Sequence, residues 1–307
     1  MTKVFIDGSA GTTGLKIYDR LKDRSDLELI TLTGDLRKDL NARRDAINSA
    51  DIAFFCLPDA AAVESASLVE SGHVAVIDTS TAHRTNPDWV YGFAELGNQR
   101  EKIQKSKRIA NPGCHASGFI VLVEPLVRAG LLKKDAALTC FSVTGYSGGG
   151  KAMIAEYEAA ERDVKYDAPR QYGLPQQHKH LKEMVQVTGI QVTPVFCPIV
   201  ADYYSGMCVT VPVFAKDLNG TMDDVKALYK DCYHSAVVHY SESPDADGLA
   251  AANLCSGRDD MEVLVSGNAE RILLISRFDN LGKGASGAAI QNMNILLGLD
   301  ETKGLNV

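Results

Sequence analysis

The first eighty residues alternate short apolar runs with stretches of helical spacing. Residues 3–6, 27–32, 52–57 and 74–78 each predict a strand, and the third is apolar throughout, as a strand covered on both faces of a parallel sheet must be. The first run passes directly into Asp7, Gly8, Ser9, Ala10, Gly11, Thr12, Thr13 and Gly14, then into a helical pattern through Leu15, Ile17, Tyr18 and Leu21. Strand, glycine turn and helix in that order make a phosphate cradle, because backbone without Cβ atoms lets a pyrophosphate reach the N–H groups of the helix start. The spacing is GxxGxxG and not GxGxxG, and the physical demand is the same. Gly8, Ser9, Gly11, Thr12, Thr13 and Gly14 are therefore candidate dinucleotide contacts. After the second strand, Arg37 and Lys38 lie on the loop that reads the adenosine ribose, where two cations can pair a 2′-phosphate and so favour NADP(H) over NAD.

From about residue 114 the pattern changes. Strand-like runs at 137–144, 191–200, 207–214 and 271–278 are joined by helical segments at 151–163, 181–187 and 221–233. Longer strands in this arrangement predict a mixed, largely antiparallel sheet, and so an α+β second domain behind an α/β dinucleotide-binding first one. Residues 284–299 read as one long apolar helix whose small residues suit close packing back on the first domain. The expected division is 1–113 with 284–307, and 114–283. There is no internal repeat and no low-complexity linker.

Composition narrows the function. A chain of 307 residues, 45% of them hydrophobic, can bury a full core and exceeds the size at which one core usually divides. The formal charge of −7 without any Lys/Arg block argues against nucleic acid or an anionic membrane and for a small-molecule substrate. No segment approaches the roughly eighteen apolar residues of a membrane span, and a strand starts almost at once, so a soluble, unprocessed chain is expected. Seven scattered cysteines with no CxxC pair form a reduced, cytoplasmic pattern.

The chemistry gathers in four stretches. Asn111, Pro112, Gly113, Cys114, His115 and Ala116 deliver one cysteine to the start of an apolar helical run, where free N–H groups and the positive end of the helix lower a thiol pKa. His178, Lys179, His180, Leu181, Lys182 and Glu183 begin another helix. Two histidines two apart on a helix lie on nearly opposite faces, so at most one can aim at a shared point; His180 and Glu183, three apart, share a face. His180 is thus the expected acid/base, with Glu183 orienting it or contacting substrate. A zinc site competes, but two histidines without a third ligand nearby support it thinly, and no metal is expected. The turn from Thr144 to Lys151, with Ser147 and Gly148, is rich in N–H donors and ends in a cation, which suits a phosphoryl group. Asn280 to Gly287, including Gly284, would let a flat ring approach the backbone. Asp78, Ser80 and Arg84 lie at the carboxyl end of a buried strand, where open α/β sheets bind ligands. A thiolate, an acid/base, a phosphate cradle and a dinucleotide fold combine into reduction of an acyl phosphate through a cysteine thioester.

The chain resembles the short form (type 2) of N-acetyl-gamma-glutamyl-phosphate reductase, within the aspartate-semialdehyde dehydrogenase superfamily. The resemblance spans nearly the whole chain and is carried in order by GSAGTTG at Gly8, FFCLP at Phe54, VIDTSTAHR at Val76, YGFAEL at Tyr91, ANPGCHASG at Ala110, SVTGYSGGGK at Ser142, HKHLKE at His178 and KGASGAAIQNMN at Lys283. It implies a Rossmann-like domain plus a catalytic domain of the semialdehyde dehydrogenase and glyceraldehyde-3-phosphate dehydrogenase kind. It also implies Cys114 as nucleophile, acid/base function at His178 or His180, NADPH as cofactor, a homo-oligomer (tetramer or dimer) and a place in arginine biosynthesis. Leu57, Pro58, Ser80, Asn280 and Gly284 join the expected cofactor contacts; Arg84, Asn111, His115, Ser147, Gly148 and Lys151 are expected at the substrate. Three positions depart from the usual pattern: His115 for tyrosine, Lys179 for arginine between the histidines, and Lys151 for arginine after the glycine turn. Lys keeps the charge and loses the bidentate fork, and His115 adds a third candidate base. Open alternatives are a related acyl phosphate, N-acetyl-aminoadipyl or aspartyl, and a non-catalytic NADP-binding regulator.

Overall fold

A computed structural model describes residues 1–307 as two compact units. One comprises Met1–Ala94, Asn98–Pro112 and Ala285–Leu305; the other comprises Glu95–Gly97, Gly113–Gly284 and Asn306–Val307.

In the first unit, β1 (Thr2–Asp7), α1 (Thr12–Leu21), β2 (Leu27–Ile30), α2 (Leu40–Ser49), β3 (Ile52–Phe55), α3 (Asp59–Ser67) and β4 (Ala75–Asp78) alternate as expected, followed by β5 (Val90–Tyr91), α4 (Gln99–Lys105) and β6 (Arg108–Ala110). The strands form a six-stranded sheet in the order β2-β1-β3-β4-β6-β5, every pair parallel. Neighbouring residues feed opposite faces: Val4, Ile6 and Phe54 enter one apolar cluster, while Phe5, Ala53 and Phe55 enter the other with Ala46 and Ile47 of α2. Every residue of β3 and β4 is buried, so both faces are covered there, which is why these inner strands read as apolar runs, whereas the edge strand β2 carries an exposed Glu28.

The second unit contains α5 (Cys114–Arg128), β7 (Thr139–Gly145), α6 (Gly150–Tyr157), β8 (Arg170–Gln171), α7 (Lys179–Thr188), β9 (Val195–Ala201), β10 (Met207–Phe214), α8 (Met222–Cys232), β11 (Val238–Tyr240), β12 (Met261–Gly267) and β13 (Arg271–Phe278). Its sheet runs β11-β12-β13-β10-β7-β9-β8, with β11–β12 and β7–β9 parallel and the other pairs antiparallel. The register pairs Val209 with both Ser142 and Ser276, placing all three on one face.

On that face α5 lies with its backbone almost against the strands. A Cβ at Gly118 would stand 2.4 Å from Val209 Cγ2 and 3.0 Å from Phe278 Cε1. The Ser276 hydroxyl donates to the Gly118 carbonyl at 3.0 Å, and the hydroxyls of Tyr229 and Tyr233 on α8 donate to the carbonyls of Leu122 and Val121. The opposite face leaves apolar side chains exposed: Phe141 at 43%, Val195 at 54%, Phe214 at 57% and Leu273 at 38%.

Three expected elements differ. The strand expected at 191–200 begins at Val195, just after Pro194, which cannot donate to a ladder. The helix expected at 151–163 stops at Tyr157, whose carbonyl accepts from Arg162. The helix expected at 284–299 is a π-helical turn, Gly282–Ser286, followed by α9 (Gly287–Leu296). Ala289, Ile290, Met293 and Ile295 of α9 join the cluster of Val4 and Ile6 in the first unit.

Gly118→Ala should cost about 1–3 kcal/mol through overpacking, read from urea denaturation. An unchanged midpoint would show that α5 can lift off the sheet without penalty.

Candidate active site

Cys114 is the first residue of α5, and Gly113 precedes it as an N-cap in extended conformation (φ −85°, ψ 142°) with no side chain of its own to cap the turn. Glu183, 2% exposed on α7, accepts the N–H of the N-cap Gly113 itself at 2.8 Å through Oε1, as the acidic residue of a capping box does. Glu183 therefore anchors the cysteine turn. Cys114 and Cys56 are both half-buried and Cys255 is buried, and desolvation pushes the thiols of Cys56 and Cys255 up to about 12 and about 11. A Cβ at Gly284 would meet Cys114 Cβ at 3.0 Å, so the glycine expected to face a cofactor ring makes room for the cysteine.

The expectation that only one of two histidines can face a common point does not hold, because His178 is not in the helix. It is the N-cap of α7 (φ −72°, ψ 138°), and its Nδ1 accepts the His180 N–H at 3.3 Å. The two rings stand 4.8 Å apart, and His115 lies 6.0 Å from His178 and 5.5 Å from His180. Phe196 packs on both His115 and His178 at 5.4 and 5.2 Å. Burial, helped by the Lys179 charge, lowers the His178 pKa.

His115 is not an available base. Its Nδ1 meets Ser142 Oγ at 2.6 Å and its Nε2 meets the Tyr172 hydroxyl at 2.6 Å. It is 4% exposed, and burial, with a smaller effect of His178, pushes its pKa down to about 3. Sequence reasoning missed two neighbours. Tyr172 reaches His115 across 57 positions, a separation that leaves no local signal. Gln176 is the chain's one non-glycine residue with positive φ (56°), and its side-chain amide accepts from Phe196 N at 2.9 Å and donates to Phe196 O at 2.7 Å. That clasp fixes the segment leading to His178 against β9.

In the first unit a cavity of about 470 Å³ is lined by Gly8, Ser9, Ala10, Leu57, Arg37, Lys38 and Arg43, among others. Gly8 has φ +87° and a Cβ there would lie 2.3 Å from the Cys56 carbonyl; one at Gly14 would lie 2.4 Å from the Gly8 carbonyl. Gly11 caps α1, Thr12 and Thr13 are its first residues, and Pro58 caps α3. Two helix starts thus accompany a turn too tight for side chains, which fits a dinucleotide pyrophosphate. Arg37 and Lys38 are exposed, whereas Arg43 is buried against Asp7 at 3.1 Å, with Ser65 at 2.6 Å and Glu64 at 2.9 Å.

Several other expected contacts serve the scaffold. Ser80 Oγ donates to Asp78 at 2.7 Å, and Asp78 also holds His83 Nδ1 at 2.6 Å. Arg84 donates to the carbonyls of Asn111 and Thr79, both at 2.9 Å. Asn111, 1% exposed, donates to the Ala285 carbonyl at 3.0 Å and accepts from Asn292 at 3.1 Å. Asn280 belongs to the second unit and spends its amide on Gly206 N at 2.9 Å and Ser147 Oγ at 3.0 Å. Ser147 is buried there, while Gly148 and Lys151 are exposed. No group of three His, Cys, Asp or Glu side chains is arranged to hold a metal ion, and no helix is long and apolar enough to cross a membrane.

A parallel dinucleotide-type sheet followed by a mixed sheet that carries a cysteine at a helix start defines the class of semialdehyde dehydrogenases. The family model described as "Semialdehyde dehydrogenase, NAD binding domain" matches residues 3–106, and "Semialdehyde dehydrogenase, dimerisation domain" matches 114–280. N-acetyl-gamma-glutamyl-phosphate reductase 2 of Nostoc sp. is 42% identical over 99% of both chains, and the protein of that name from Pseudomonas putida is 44% identical over 98% of both. The chain belongs to the N-acetyl-gamma-glutamyl-phosphate reductase family. Among solved structures, aspartate semialdehyde dehydrogenase II of Vibrio cholerae, complexed with ASA, matches with TM-score 0.73 at 17% identity, covering 97% of this chain and 98% of that one. The Candida albicans aspartate semialdehyde dehydrogenase with NADP matches with TM-score 0.67 at 15% identity over 97% and 98%. These two share the fold.

Folding holds His115 neutral from its ordinary pKa of 6.5 down to about 3. In that window the unfolded chain binds the extra proton, so stability falls as pH falls, by up to about 1.4 kcal/mol per pH unit. His115→Asn should flatten this slope in urea melts taken across the window; an unchanged slope would contradict a buried, neutral His115.

Proposed function

We propose that the chain reduces N-acetyl-gamma-glutamyl phosphate to N-acetylglutamate 5-semialdehyde and phosphate, with NADPH, in arginine biosynthesis. The observation that carries this reading is identity of 42–44% over nearly the full length to proteins of that name, in a chain that sets Cys114 at the start of a buried helix.

In this reading the Cys114 sulfur attacks the acyl carbon, the bond to phosphate breaks, and the acyl group stays on sulfur as a thioester, which remains electrophilic enough to accept hydride. The N–H groups of the first turn of α5 receive the developing oxyanion. The Gly8 turn and the start of α1 would hold a nicotinamide dinucleotide, which would supply the hydride at the thioester carbon, the C–S bond then breaking to release the aldehyde and the Cys114 sulfur. His180 is the acid/base that carries the proton at the acyl oxygen and sulfur. His178 is the weaker candidate, since protonating its Nδ1 would cost the bond that caps α7. Glu183 holds the turn, and Lys151 at the exposed end of its glycine-rich turn attracts the phosphoryl group. The preference for NADPH rests on Arg37 and Lys38, which line the same cavity as the Gly8 turn. Self-association rests on the exposed apolar face carrying Phe141, Val195, Phe214 and Leu273. A working thiolate needs a reducing compartment, such as the cytoplasm.

The test is phosphate-dependent NADP reduction with N-acetylglutamate semialdehyde, beside aspartate semialdehyde and the aminoadipate analogue. One methylene separates the last from the first and is worth only about 1–3 kcal/mol, so the ratio of rates is the informative number. Wild type should prefer the first substrate, and Cys114→Ser should abolish turnover while NADPH still binds; failure of all three aldehydes would overturn the function. His180→Asn should slow turnover more than His178→Asn, and the reverse order would move the acid/base role to His178.

Replacing both Arg37 and Lys38 by Ala should weaken NADPH binding at least about tenfold, or about 1.4 kcal/mol, and leave NADH binding unchanged. Equal effects on the two cofactors in a fluorescence titration would remove these residues from the 2′-phosphate.

A further inference from the structure

Ser142, His115 and Tyr172 form a chain of two hydrogen bonds, each 2.6 Å long, that runs from the floor of the second unit's sheet to the half-open cluster of His178 and His180. The direction of this chain follows from counting protons. Ser142 on β7 is 0% exposed, and its hydroxyl meets His115 Nδ1 alone. A hydroxyl in such a place must donate, because a buried donor left without an acceptor is expensive. Ser142 therefore donates to Nδ1, and a neutral imidazole that accepts at Nδ1 carries its proton on Nε2. His115 is neutral, since burial depresses its pKa to about 3. Its Nε2–H then donates to the Tyr172 oxygen.

A phenol O–H prefers the plane of its ring and has two settings there. The one that faces His115 is closed by the incoming Nε2–H, so the Tyr172 proton points the other way. Tyr172 is half-buried, its ring centroid is 6.1 Å from that of His178, and it lies close enough to Cys114 to feel the charge on that sulfur. The Tyr172 backbone N–H is held at 3.0 Å by Pro198 O of β9, so the ring is anchored at both ends.

We infer that Tyr172 is a further catalytic residue, whose O–H, aimed by Ser142 and His115, donates a hydrogen bond to the oxygen of the acyl group carried on Cys114 while His180 carries the transferred proton. Ser142 and His115 are positioning residues. The inference rests on the thioester chemistry proposed above. It also gives His115 a use that a base could not have: an imidazole that stays neutral and in one tautomer is a directional spacer between two hydroxyls.

Tyr172→Phe removes the donor and keeps the ring. The expected result is a fall in kcat of about 10²–10³-fold, the usual loss for one oxyanion donor, with KM for the semialdehyde within about threefold and the melting temperature unchanged. Ser142→Ala, which touches no reacting atom, should lower kcat by about tenfold, because His115 is then free to change tautomer. Nitrogen-15 NMR of His115 should show the Nε2–H tautomer in wild type, a signature that a purely structural hydrogen bond does not fix. Should Tyr172→Phe fail to fold, the tautomer and Ser142→Ala decide. The inference is overturned by Tyr172→Phe retaining kcat within twofold of wild type, or by an Nδ1–H tautomer. Wild type and Cys114→Ser run beside these variants. An active wild type and a dead Cys114→Ser with an unimpaired Tyr172→Phe would refute the tyrosine's role alone, whereas an inactive wild type would refute the thioester chemistry and the inference with it.

Discussion

The hydrogen bond from the Gly113 N–H to the Glu183 carboxylate is the constraint around which the second unit's site is built. A helix that starts with a cysteine cannot be capped by that residue without spending the sulfur, and glycine before it offers no side chain. What another element supplies is a hold on the N-cap's own N–H, and α7 does so with a carboxylate that is 2% exposed. A charged acceptor on a backbone donor is shorter and stronger than a neutral pair, so the bond ties the start of α5 to the second turn of α7, one turn from that helix's own start. His178 and His180 stand at one of those starts and Cys114 at the other. The flat contact of Gly118 with Val209 and the hydroxyl of Ser276 on the Gly118 carbonyl then fix α5 against the sheet.

The same logic shapes the first unit. The turn after β1 is so tight that Gly8 and Gly14 have no room for a Cβ, and its neighbour Asp7 is occupied by Arg43 and Ser65. A buried pair of this kind is weak evidence for stability, since desolvation offsets much of its attraction. Its effect here is on charge: the carboxylate beside the turn is neutralised, and Arg37 and Lys38 remain as the exposed cations on the cavity wall.

What could be read from the sequence follows the range of the interactions. β1, β3 and β4 of the parallel sheet were legible because burial on both faces writes an apolar run, and the edge strand β2 was legible from its leucines and isoleucine although Glu28 interrupts them. β5 and β6 were not, being two and three residues long. β12 escaped in part because Glu262 within it pairs across the sheet with Arg277, and such a pair looks polar in one dimension. The position of Cys114 at a helix start was legible from Pro112 and Gly113. The arrangement of the histidines was not: the helical wheel assumes helical dihedrals at both, and His178 has ψ 138°. Tyr172 and Gln176 act through contacts with His115 and Phe196, which only the folded chain brings near.

The central claim is that Cys114 carries the acyl group. Protein mixed with N-acetyl-gamma-glutamyl phosphate, without NADPH, and quenched in acid should gain the mass of one N-acetylglutamyl group, and peptide mapping should place it on the segment containing Cys114, with none in Cys114→Ser. An unchanged mass while the complete mixture turns over, or an adduct on any other cysteine, would contradict the account.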